Sequence, residues 1–133
     1  MDEFFLTQET RTRLANCGEE FLVAFYTAAT RRHPENLEAL SELGHALTRL
    51  GRIAEGLEAD ERLVQLAPQN ATVHYNHACS LALLERVDEA FAALRRAVAL
   101  GYDDLQHLLG DEDLAGLRND ERFEALVARL RNG

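Results

Sequence analysis

No lysine occurs in this chain of 133 residues, so all 14 basic side chains are Arg, set against 23 Asp and Glu for a net charge of −9. A protein that follows a phosphate backbone needs a positive stripe. None is present: residues 71–102 are neutral, and residues 103–133 carry four Arg against eight acids. Nucleic acid is therefore not an expected partner. Cysteine is nearly as scarce, with Cys17 and Cys79 alone, too few for a secreted cross-linked scaffold and consistent with free thiols in a reducing cytoplasm. No apolar stretch approaches the roughly 20 residues that cross a bilayer, and Met1-Asp2-Glu3-Phe4-Phe5 lacks the basic region of an export signal. The expectation is a cytoplasmic protein with no membrane contact. A chain this long buries roughly two-thirds of its unfolded surface, so one domain over 1–133 needs no metal, cofactor or disulfide to fold.

Proline is rare too, and its two positions are informative. Pro34-Glu35-Asn36 recurs as Pro68-Gln69-Asn70 after 34 residues, and a further 34 reaches Tyr102-Asp103-Asp104. Residues 37–70 laid on 71–104 match at eight positions: Leu47 with Leu81, Leu50 with Leu84, Arg52 with Arg86, Glu55 with Glu89, Ala59 with Ala93, Arg62 with Arg96, Val64 with Val98 and Leu66 with Leu100. The rest of the composition, rich in Ala, Leu, Glu and Arg, favours helix. Leu40, Leu43, Leu47 and Leu50 keep 3, 4, 3 spacing before a Gly51-Arg52 turn, and a second helix follows from about Ala54 to Leu66. In the next unit His74, His77, Leu81 and Leu84 hold the same face. The turn falls near Glu85-Arg86-Val87, with Asp88 as the expected cap of the helix after it. Asn36, Asn70 and Asp104 stand where a side-chain oxygen can accept from the free amides of a first turn.

These residues resemble the tetratricopeptide repeat, a 34-residue helix-turn-helix unit. Residues 37–70 supply Leu40, Leu43-Gly44, Leu47, Leu63, Leu66 and Pro68, with Gly56 where Ala is usual and Asp60 where an aromatic is usual. Residues 71–104 supply Ala78, Leu81, Ala90, Leu94, Ala97 and Leu100, while His74, His77 and Tyr102 depart from the pattern. The resemblance implies an all-α fold of antiparallel helix pairs stacked as a short right-handed solenoid. It divides the chain into an incomplete repeat (1–36), two repeats (37–70 and 71–104) and a helical cap (105–133). In the first part Phe21, Leu22, Phe25, Ala28 and Ala29 form the expected apolar face of a second helix, and its partner, about Phe4 to Asn16, is polar and weak. In the last part, Leu108 to Phe123 resembles a closing segment of bacterial repeat arrays. There Phe123, Leu126, Val127 and Leu130 would cover the open end of the stack.

Phosphate loops, dinucleotide fingerprints, zinc-protease helices and serine-hydrolase elbows are absent from the sequence, so no catalytic residue is expected. His74, His77 and Cys79 make one cluster of metal-ligand chemistry. Both histidines occupy repeat positions that pack between helices, and Cys79 lies off their direction, so packing is the expected role and no metal site is assigned. Asp103-Asp104 and Asp111-Glu112-Asp113 lack the glycine and distal Glu of a calcium loop and read as caps and solvated ends. Asn70-Ala71-Thr72 likewise reads as a cap rather than a glycan acceptor. Residues displaced from the packing stripe of each first helix face the hollow of the stack. They nominate a ligand groove of Ser41, His45, Thr48, Arg49, Thr72, Tyr75, Cys79 and Leu83. The resemblance adds Asn76, which stands where family members hold a ligand's backbone. It also disfavours the family's chaperone-tail clamp, whose paired Lys and Asn positions are Ser41, His45, Tyr75 and Cys79 here. The expected function is a non-catalytic adaptor or scaffold that binds a peptide or protein segment. The alternatives are a homodimer built through Phe4, Phe5 and Phe25, and a metal or redox centre on His74, His77 and Cys79.

Overall fold

The computed structural model describes residues 7–133, and among them every regular element is a helix. Thr7 opens α1 (Gln8–Arg32) by accepting the Thr10 amide at 3.0 Å. The helix then runs without a break for 25 residues, where the sequence suggests two helices meeting near Asn16. Gly18 is the weakest point in that run, yet open space surrounds it. An exposed helical glycine costs only about 1 kcal/mol, too little to force a turn with no packing behind it. Continuity decides which face is buried. Val23 and Leu22 pack on α2 with Ala46 and Leu47, whereas Phe21 and Phe25 point outward, 68% and 56% exposed. The expected inward face of Phe21 and Phe25 is thus corrected, because the first half of α1 does not fold back to cover it. Phe4 and Phe5 lie outside the described residues.

Asn36 and Asn70 cap α2 (Leu37–Arg49) and α4 (Ala71–Leu83), accepting from Ala39 and Val73 amides at 3.1 and 3.2 Å. Each helix ends in a left-handed residue, Gly51 at φ +81° and Glu85 at φ +60°, and the chain reverses into α3 (Ile53–Leu66) and α5 (Val87–Ala99). Arg52 and Arg86 begin the second helices in the same way, each forked onto a carboxylate three residues later, Glu55 and Glu89. Asp88 falls inside the first turn of α5 and does not cap it; Arg86 holds the cap position without a side-chain bond. Gly44 and Gly56 mark the closest approach of α2 and α3. A Cβ on Gly56 would come within 2.9 Å of the Thr48 hydroxyl and 3.3 Å of the Gly44 carbonyl. The alanine usual at position 56 would therefore push the pair apart.

Asp104 caps the short α6 (Leu105–Gly110) through the His107 amide at 3.0 Å. A 3₁₀ segment (Glu112–Leu117) and α7 (Glu121–Asn132) complete the chain. This closing segment seals the largest core, in which Leu108, Leu114, Leu117, Phe123 and Leu126 pack with Tyr75, Leu81, Phe91 and Leu94. Arg122 fastens it from outside, with its guanidinium 4.4 Å from the Phe91 ring centroid and a 2.8 Å bond to Asp88.

Candidate functional site

A cavity of about 270 Å³ opens between the inner faces of α2 and α4 and the closing segment. Its wall is made by His45, Thr48 and Arg49 from α2, Asp60 from α3, Tyr75, Asn76, Cys79 and Ser80 from α4, and His107, Asp111 and Asp113 from the closing segment. The α2 side is fixed by two bonds. Thr48 donates back to the Gly44 carbonyl at 2.9 Å, and Arg49 holds Glu19 of α1 at 2.7 Å. His45 stands exposed at the mouth, and Asn76 is half-buried beside it.

The α4 side is more deeply set. Tyr75, 2% exposed, stacks face to face on Tyr102 with centroids 4.3 Å apart, and donates its hydroxyl to Asp111 Oδ2 at 2.6 Å. The Cys79 thiol donates to the same oxygen at 3.5 Å. Burial, with Asp111 and Asp113 close by, pushes that thiol well above its usual range, so it stays protonated. Burial likewise raises the Asp113 carboxyl, aided by the negative Asp111. Between α3 and α4, Ser80 donates to the buried Asp60 at 2.5 Å, and burial lifts the Asp60 carboxyl to about 7 despite that bond.

Of the nine residues nominated from the sequence, His45, Thr48, Arg49, Tyr75, Asn76 and Cys79 meet on this cavity. Ser41, Thr72 and Leu83 do not. Ser41 sits one turn before His45, and Thr72 and Leu83 lie at the two ends of α4, whereas the hollow is at the helix centres. Tyr75 offers the groove no free ring face, because Tyr102 covers it and Asp111 takes its hydroxyl. Asp60, Ser80, His107, Asp111 and Asp113 were missed. Asp60 carries a legible signal, an acid on the apolar stripe of α3 between Leu57 and Leu63. The closing-segment residues carry none, since they reach the site through a contact 32 to 36 positions away in the chain.

His74 and His77 lie elsewhere. His74 is buried, and its Nε2 donates to the Pro68 carbonyl at 2.8 Å, locking the end of α3 to α4. His77 is half-buried, and desolvation lowers its pKa. Cys79 turns away from both toward Asp111 and Asp113, which overturns a metal centre on His74, His77 and Cys79.

Among solved structures, that of MamA superposes with a TM-score of 0.72 over 97% of this chain and 75% of its own, at 16% identity. The fold is a tetratricopeptide-like helical repeat. The chain is also 32% identical over 90 residues to a chloroplastic protein of Arabidopsis thaliana; the match takes in 65% of this chain and 27% of that one. The chain thus spans about a quarter of the curated relative it matches. No family model matches it. No helix among the described residues is long and apolar enough to cross a membrane.

Proposed function

We propose that this protein is a non-catalytic adaptor that holds a peptide or protein segment along the inner faces of α2 and α4. One observation carries the reading: five side chains set out by the repeat spacing, His45, Thr48, Arg49, Tyr75 and Cys79, line one open cavity together with Asn76 on a stack of helix pairs. An extended or helical segment would lie against a preformed hollow of this kind, with backbone contacts at Asn76 and side-chain contacts at His45 and Thr48. Arg49 is less free to take part, since Glu19 already holds it. The net charge of −9 favours basic or neutral partners. His45→Ala with Asn76→Ala tests this, because neither residue is in the core. The double variant should keep the helical circular dichroism spectrum and lose its partner from a native pull-down by roughly tenfold or more in affinity. Unchanged retention would place the binding surface elsewhere.

A second reading, self-assembly, is favoured by a specific feature of α1. Leu14, Phe21 and Phe25 are all more than half exposed on one helix, and Phe21 and Phe25 stack with centroids 6.5 Å apart. A contiguous apolar stripe on an outer helix marks an association surface. Light scattering at high micromolar concentration should give a dimer for the unmodified protein and a monomer for Phe21→Glu with Phe25→Glu. A monomer in both cases removes this reading.

A further inference from the structure

We infer that Cys79, Asp111 and Asp113, with His107 as a fourth donor, form a site for a zinc-class divalent cation that ties the closing segment to α4. The ligand atoms of Cys79, Asp111 and Asp113 all lie within 4.8 Å of one another. His107 Nε2 is 3.5 Å from Asp111 Oδ2, the same oxygen that Cys79 Sγ meets at 3.5 Å. Donor atoms on a tetrahedral zinc with bonds of 2.0–2.3 Å stand roughly 3.3 to 3.8 Å apart. Cys79, Asp111 and Asp113 already stand near that spacing, and His107, exposed beside Asp111, would complete the set by turning its ring toward them.

Three features separate this group from an ordinary acidic surface. Its donors are of three kinds, thiol, carboxylate and imidazole, and they come from α4, from α6, from the Asp111 cap and from the 3₁₀ segment. The outer support of a metal ligand is also present: Tyr75, locked by its stack on Tyr102, donates to Asp111, and the Asp113 amide holds the other Asp111 oxygen at 3.0 Å. Finally, among the described residues no Arg pairs with these carboxylates, and the basic group that meets Asp111 is the proposed donor His107 itself. Arg118 donates to the Asp111 backbone carbonyl and not to a carboxylate, and the Asp113 carboxylate has no hydrogen-bond or ion-pair partner among the described residues.

Sulfur and nitrogen donors select zinc or cobalt over calcium or magnesium. Binding releases the Cys79 thiol proton to solvent as the metal–sulfur bond forms, so affinity rises with pH. The resulting cross-link joins residues 79 and 107–113 and stabilises the fold by mass action.

The test is a Co²⁺ titration of the full chain in a Cys17→Ser background, which removes the exposed second thiol. Expected are one Co²⁺ per chain, a sulfur-to-cobalt charge-transfer band in the near ultraviolet, displacement by Zn²⁺, and a melting temperature that rises with metal concentration. Cys79→Ala should abolish the band. Because Cys79 is buried and its loss disturbs packing, Asp113→Asn, half-buried and free of side-chain bonds, provides the second arm and should weaken Co²⁺ at least about tenfold with folding intact. Absence of the band in the parent, a band that survives Cys79→Ala, or Co²⁺ affinity unchanged in Asp113→Asn would each overturn the assignment.

Discussion

Asp60 shows how one residue sets the character of a helix interface. It occupies a stripe position that wants an apolar side chain, yet one of its oxygens lies 3.3 Å from where a Cβ on Gly44 would stand, and the other accepts from Ser80. Its carboxyl, at about 7 when folded against an ordinary 3.8, binds more protons in the folded chain than in the unfolded one between those values. Its contribution to stability is therefore complete below about pH 4 and is lost as pH rises toward 7. Asp60→Asn should flatten that part of the profile and match or exceed the parent at neutral pH, by on the order of 1 kcal/mol; urea midpoints at pH 4.5 and 7.5 check it. A difference between variant and parent that does not change with pH would contradict the assignment. Glu85 makes a separate point about backbone. The equivalent turn of the preceding repeat uses Gly51, and a left-handed glutamate costs about 1 kcal/mol more than glycine. Glu85→Gly should raise the melting temperature slightly, whereas Gly51→Ala should lower it.

At the scale of elements, the repeat is legible wherever the same physical task recurs every 34 residues. Asn36, Asn70 and Asp104 cap their helices as the sequence suggests. Several matched pairs now have reasons: Leu47 and Leu81, and Ala59 and Ala93, are buried, while Arg52–Glu55 and Arg86–Glu89 staple the second helices. Periodicity fails where an element meets something outside the repeat. In α1, a polar first half joined to an apolar second half signals two helices, but without a turn-forming pair the helix runs on. In the closing segment, Asp111 looks like a solvated acid because its partners Tyr75 and Cys79 are set by how the 3₁₀ turn folds back. That contact is testable. Tyr75→Phe keeps the stack on Tyr102 and removes only the bond to Asp111, so it should cost about 1 kcal/mol and raise amide exchange in Glu112–Leu117 without altering α2 or α3. Equal loosening of all helices would show that the hydroxyl supports the whole core instead.

Across the whole molecule, the core is unevenly distributed, and its asymmetry governs how the chain opens. The large apolar cluster joins α4, α5, α6, the 3₁₀ segment and α7. At the other end Val23 is the one buried residue of α1, and the cluster holding it to α2 is small: Ala46 and Leu47 are buried with it, and Leu22, Leu43 and Leu50 are partly buried around them. In a stack of repeats each unit is held by its neighbours, and a unit with one thin interface opens without the rest. Native-state hydrogen exchange should therefore rank the helices: α1 amides exchanging fastest, α2 and α3 next, and α4 and α5 only near the global unfolding free energy. Leu47→Ala should widen the gap by about 2–3 kcal/mol, since it removes a buried side chain from the thin interface, and leave α5 protection nearly unchanged. The same experiment at high protein concentration bears on the stripe of Leu14, Phe21 and Phe25. If a second copy covers those residues, α1 protection rises with concentration while α5 protection does not, and a concentration-independent α1 would show that the helix stands alone.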